Sequence, residues 1–168
     1  ALIIPLMAKG IGPGDAVITT SFSYIATAEV IALLGATPIF CDIYPETLNI
    51  NPDGLEKAYD KAILEGLTPK AIISVDLFGL PARYRLIDEF AKLKKLFLLE
   101  DAAQGFGGKI GSRKACSFGD VSSTSFFPAK PLGGYGDGGA IFTNNDELAE
   151  KMQSIRVHGG GENKYNNI

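Results

Sequence analysis

Short apolar runs alternate with amphipathic stretches along the chain, and the two periods predict different elements. The runs at residues 16–19, 38–41, 70–77 and 96–100 read as strands, the last two unbroken enough to be buried on both faces. Two further strands are predicted around 121–126 and 140–143. Between them, residues 24–34 form an Ala-, Ile- and Leu-rich helix, capped by Ser23 and ended by Gly35. Asn51-Pro52 opens a helix to about residue 64, with Leu55, Ala58, Tyr59 and Ala62 on one face. Residues 83–95 form another, with Leu86, Ile87, Phe90 and Leu93 turned inward. A last helix spans 146–155, and either Asn144 or Asn145 can cap it. The apolar start, residues 1–8, lacks the basic segment and cleavage site of a signal peptide and is far too short to span a membrane. It reads as the tail of a helix, and the chain reads as a fragment at both ends.

Strand and helix in alternation imply an α/β domain whose mainly parallel sheet is flanked by helices on both faces. Such sheets bind ligands beyond the carboxyl ends of their strands. The 168 residues suffice for one domain with a real core, and 46% hydrophobic with 21% charged is an ordinary globular balance. A net charge of only -3 gives no reason to expect nucleic acid or an anionic membrane as partner. Cys41 and Cys116 stand far apart in no metal or redox spacing, so a reducing compartment and no metal site are expected.

Three segments at predicted strand ends carry candidate chemistry. Asp101 follows the run at 96–100 and leads into Ala102-Ala103-Gln104-Gly105, small neighbours that leave room for a ligand. A carboxylate there can hold a pyridine nitrogen protonated, or it can simply cap a turn. Lys130 stands between Pro128 and Pro131 after a hydroxyl-rich strand containing Ser122, Ser123, Thr124 and Ser125. A partly buried lysine amine is a covalent nucleophile, whereas an exposed one only snorkels to solvent. The glycines at 133, 134, 136, 138 and 139 formally match a dinucleotide fingerprint. That fingerprint must open a helix, whereas this run leads into the strand predicted at 140–143, which rejects the nicotinamide reading. The glycines instead let the backbone turn tightly beside the lysine.

In order along the chain, residues 10–15 (Gly-Ile-Gly-Pro-Gly-Asp), 22–29 (Phe-Ser-Tyr-Ile-Ala-Thr-Ala-Glu) and 34–38 (Leu-Gly-Ala-Thr-Pro) resemble the DegT/DnrJ/StrS family of sugar aminotransferases. So do 77–79 (Leu-Phe-Gly), 100–104 (Glu-Asp-Ala-Ala-Gln), 125–130 (Ser-Phe-Phe-Pro-Ala-Lys), 136–140 (Gly-Asp-Gly-Gly-Ala) and 156–159 (Arg-Val-His-Gly). The resemblance implies the large domain of the fold type I enzymes that use pyridoxal 5'-phosphate (PLP). It makes Lys130 the covalent anchor and proton carrier, and Asp101 the partner of the pyridine nitrogen. It makes Gln104 a contact of the ring hydroxyl, Ser125 a phosphate ligand and Tyr24 an aromatic stacked on the ring. Tyr24 can also be ordinary core packing. His158, the single histidine, is either a substrate-loop residue or a polar contact at a helix end. Lys164 and Tyr165 resemble the start of a segment lining the sugar-nucleotide site. The family's phosphate-binding turn is expected just before Ala1, and its small C-terminal domain beyond residue 168.

The implied reaction is transamination of a nucleotide-linked keto-sugar, leaning to a UDP-sugar, with glutamate as amino donor, in a cytoplasmic homodimer serving amino-sugar and polysaccharide synthesis. A sister activity, sugar dehydration, uses histidine where Lys130 stands. A non-catalytic binding domain would not need the lysine at all.

Overall fold

The structure, a computed structural model, describes residues 1–160. Its strands are β1 (Asp15–Thr20), β2 (Thr37–Cys41), β3 (Thr68–Val75), β4 (Phe97–Asp101), β5 (Lys109–Ile110), β6 (Arg113–Lys114), β7 (Val121–Ser125) and β8 (Gly139–Phe142). Its helices are α1 (Ile3–Ala8), α2 (Ala26–Leu33), α3 (Leu55–Leu64), α4 (Tyr84–Lys94) and α5 (Asp146–Arg156). Six strands form one sheet in the order β2-β1-β3-β4-β7-β8. All neighbours pair in parallel except β7 and β8, which are antiparallel. The short β5–β6 hairpin stands apart and has no counterpart in the hydrophobic pattern, because its strands are two residues long, exposed, and charged except at Ile110.

Side chains alternate across a strand, so the apolar runs feed two cores at once. Ile72 and Leu98 pack with α3 and α4 through Leu55 and Ile87. Their neighbours Ile73 and Leu99 pack on the other face against Leu6, Ile31 and Met152 of α1, α2 and α5. Fully burying one such side chain contributes about 1.5–3 kcal/mol, which explains why these strands tolerate so few polar positions.

The exceptions therefore stand out. Ser74, Glu100 and Ser122 lie in register across β3, β4 and β7 on the α3/α4 face, and all are buried. Glu100 accepts from the backbone amides of Cys116 and Phe118, each at 2.7 Å, and from the Ser122 hydroxyl. Asp76, just past β3, accepts from the Tyr84 hydroxyl at 2.6 Å and the Ala82 amide at 3.3 Å.

Several expectations need correcting. The helix predicted from residue 24 begins at Ala26, and Ser23 does not cap it; the Ser23 hydroxyl meets that of Thr27 instead, at 3.4 Å. The stretch opened by Asn51-Pro52 is a single 3-10 turn before α3 starts at Leu55, with the Asp53 amide bonded to the Asn51 side chain. On α4, Leu93 is 74% exposed, and Tyr84 and Ala91 take the inward face with Ile87. At 100° per residue Leu93 lies 200° round from Ala91, so its side chain leaves the sheet. Asn145, rather than Asn144, caps α5, accepting from the Leu148 amide at 2.8 Å.

Candidate active site

Parallel pairing puts the carboxyl ends of β1, β3, β4 and β7 on one edge of the sheet. The segments that follow, 21–25, 76–80, 102–105 and 126–130, converge there. They surround a cavity of about 480 Å³ whose lining includes Tyr24, Thr27, Asp101, Gln104, Ser125 and Lys130. All five predicted cofactor contacts thus border one space. Thr27 is a sixth polar group that the pattern of the sequence did not single out.

Asp101 is the last residue of β4 rather than the first after it, and only 4% exposed. It faces the α2 side of the sheet, opposite to Glu100. The Thr27 hydroxyl donates to its Oδ2 at 2.8 Å, and the Ala103 amide to its Oδ1 at 3.1 Å. Burial pushes its pKa above the ordinary carboxylate value. The Thr27 and Ala103 hydrogen bonds oppose that, as does the positive charge of Lys130.

Lys130 sits in a tight turn whose amide bonds back to the Phe127 carbonyl at 2.9 Å. The Phe127 amide in turn bonds the Ser125 hydroxyl oxygen at 3.2 Å, so Ser125 serves as acceptor there and keeps its own proton to donate. Gly133 closes this turn, because a Cβ there would strike the Pro128 carbonyl oxygen. The glycine run then enters β8, not a helix. The Lys130 Nζ lies 5.6 Å from the centre of the Tyr24 ring, within cation–π range. Tyr24 itself is 67% exposed and stands before α2, so it is not core packing.

Gln104 reaches across to the next loop, where its Oε1 accepts from the Phe78 amide at 2.8 Å. Phe78 is left-handed, at φ 54, so this bond holds a backbone geometry that few side-chain-bearing residues adopt. With Oε1 engaged, the amide nitrogen of Gln104 is left to donate into the cavity.

His158 is exposed in the turn after α5 and does not line the cavity. Lys164 and Tyr165 lie outside the described residues. No helix among the described residues is long and apolar enough to cross a membrane.

Comparison with known proteins follows the same geometry. A UDP-2-acetamido-2-deoxy-3-oxo-D-glucuronate aminotransferase of Pseudomonas aeruginosa is 49% identical over all of this chain and 45% of its own length. A crystal structure of a DegT DnrJ EryC1 StrS aminotransferase from Brucella abortus superposes with a TM-score of 0.97 and 54% identity, covering 100% of this chain and 45% of that one. The NtdA protein of Bacillus subtilis, solved with bound cofactor PMP, gives a TM-score of 0.88 at 35% identity, over 100% of this chain and 37% of that one. The chain therefore spans less than half the length of the proteins it matches. Over residues 1–168 it matches the model of the DegT/DnrJ/EryC1/StrS aminotransferase family, and it belongs to that family.

Proposed function

We propose that this chain is the large, cofactor-binding domain of an enzyme that uses PLP to transaminate a nucleotide-linked keto-sugar. The supporting observation is that Lys130, Asp101 and the Tyr24 ring border a single cavity. Its chemistry fits a flat pyridine bearing a nitrogen, a ring oxygen and a phosphate. A buried carboxylate lies within electrostatic reach of the lysine. An aromatic face lies beside the amine. Gln104 and Ser125 each retain a proton to donate.

When bound, PLP supplies an electron-accepting ring that stabilises negative charge at the substrate carbon. The protein's own groups do the rest. Asp101, with its two donors, would hold the pyridine nitrogen protonated. Tyr24 would offer a flat face to the ring and Gln104 a donor to its oxygen. Ser125 would donate to the phosphate. Lys130 would anchor the cofactor, and its amine, when free, would carry a proton from the donor's α-carbon.

Glutamate is the proposed donor and a UDP-linked keto-sugar the proposed acceptor. The Pseudomonas relative, named for a UDP-linked 3-oxo-sugar, supports the second. We place the enzyme in the cytoplasm, where the free thiols Cys41 and Cys116 would persist. We also propose a homodimer with the site at the subunit boundary. Two aromatic side chains that line the cavity, Tyr24 and Phe127, are half or more exposed and suit a partner surface.

The test uses the full-length protein with PLP and borohydride. Reduction should fix the cofactor to Lys130, and Lys130→Ala should abolish both this adduct and amino transfer from glutamate. Label on another residue, or transfer that survives in Lys130→Ala, would defeat the proposal.

A further inference from the structure

Asp101 can hold a pyridinium only while it is itself an anion, yet it sits at the floor of the site with 4% of its surface exposed. Water cannot stabilise that charge, so the protein must. Each carboxylate oxygen receives one donor. The Ala103 amide is backbone and comes with the turn after β4. The other donor is a side chain, Thr27, brought from a residue 74 positions away in the sequence. Its placement is not what helix formation alone would select. A β-branched threonine is a mediocre helix former, and in a first turn its hydroxyl usually serves the local backbone. Here the hydroxyl leaves the helix and bonds the carboxylate at 2.8 Å, from a residue only 3% exposed. Because the single Thr27 proton goes to Asp101, the 3.4 Å contact with Ser23 must run from Ser23 to Thr27. Two hydroxyls thus point in series at one oxygen.

We propose that Thr27 is a positioning residue of the active site, whose hydroxyl keeps Asp101 ionised and aimed into the cavity. The proposal rests on the function proposed above. Thr27 acts through Asp101 and is not itself a catalytic residue. The other charged side chain felt by Asp101 is Lys130, from the turn after β7, a cation that does not fix the direction of the carboxylate as a hydrogen bond does.

Two variants separate this role from mere packing. Thr27→Val keeps the shape and loses the hydroxyl; Thr27→Ser keeps the hydroxyl and loses a methyl. In the full-length apoprotein, carbon NMR of the Asp101 carboxyl should show its titration midpoint about one pH unit higher in Thr27→Val, the size expected for losing one hydrogen bond to a charged group. Thr27→Ser should stay near wild type. In the loaded enzyme, the acidic limb of the pH–kcat profile should move up by about the same amount in Thr27→Val, with KM for the amino donor little changed. Should the valine variant fold poorly, Thr27→Ala carries the same expectation. An unshifted Asp101 midpoint in Thr27→Val, or equal impairment of the serine and valine variants, would overturn the proposal. A wild-type protein that fixes no cofactor at Lys130 would sink the proposed function, while the apoprotein titration would still decide what Thr27 does.

Discussion

Asp76 and Glu100 are both fully buried, and the charge of Glu100 acts on Asp76. Two carboxylates cannot both stay ionised in that position. Glu100 already accepts from two backbone amides and a hydroxyl. The Asp76 oxygen Oδ2 has no N–H or O–H donor aimed at it. Of the two acids, Asp76 is therefore the one that holds a proton. Burial, then the charge of Glu100, push the pKa of Asp76 up to about 8. A carboxyl of the unfolded chain titrates near 4. Between about pH 4 and pH 8 the folded state thus holds a proton that the unfolded state has lost, and stability falls as pH rises. The slope is on the order of 1.4 kcal/mol per pH unit, full stability being present below the lower value and lost by the upper.

Asp76→Asn should remove that slope. Its amide nitrogen replaces the unpartnered Oδ2 with a group that does not titrate, and its oxygen still accepts from Tyr84 and Ala82. Urea unfolding of the full-length apoprotein at about pH 5 and about pH 7 measures the effect. Relative to wild type, the variant should gain roughly 2–3 kcal/mol between the two, two units of that slope. Asp76→Ala, which strands the Tyr84 hydroxyl, should cost about 2–4 kcal/mol at about pH 5 and, having lost the same slope, correspondingly less relative to wild type at about pH 7. Parallel pH curves for wild type and Asp76→Asn would refute the proton on Asp76.

Other perturbations follow from the same packing. Gly105→Ala would place a Cβ 2.6 Å from Asp76 Oδ2 and should lower stability by about 1–3 kcal/mol in thermal unfolding. Asn145→Ala removes the cap on the Leu148 amide and should cost about 1 kcal/mol by the same measurement, leaving the cavity unaffected. Tyr24→Ala, at an exposed position, should leave the unfolding curve of the apoprotein in place while weakening PLP retention on dialysis roughly tenfold, the worth of one aromatic stack.

The sheet was legible in the sequence because strands buried on both faces exclude polar residues for several positions running. The helix faces were less so. Period 3.6 sorts Leu55, Ala58 and Ala62 correctly on α3; on α4 it sets Leu93 opposite the Tyr84–Ile87–Ala91 stripe, and the expectation failed by following the large apolar residues instead of the angle. Helix starts slipped where a hydroxyl found a distant partner. Ser23 looks like a cap, yet it meets Thr27, which is itself committed to Asp101. The five candidate residues border one cavity because each ends or follows a parallel strand or lies in a loop at that edge of the sheet. Thr27 was not legible in the sequence, and neither was the Asp76–Glu100 pair. Their meaning lies in contacts between β3, β4, α2 and α4 that no local spacing encodes.

The central claim is that one pyridine ring is held between the Lys130 amine and the Asp101 carboxylate. A crystal structure of the full-length protein grown with PLP tests it directly. The account predicts continuous density from Lys130 Nζ into the cofactor, and Asp101 Oδ2 at about 2.7–2.9 Å from the ring nitrogen, the distance of a charge-assisted hydrogen bond. A ring bound with Asp101 facing any other atom, or attached through a different residue, would contradict it.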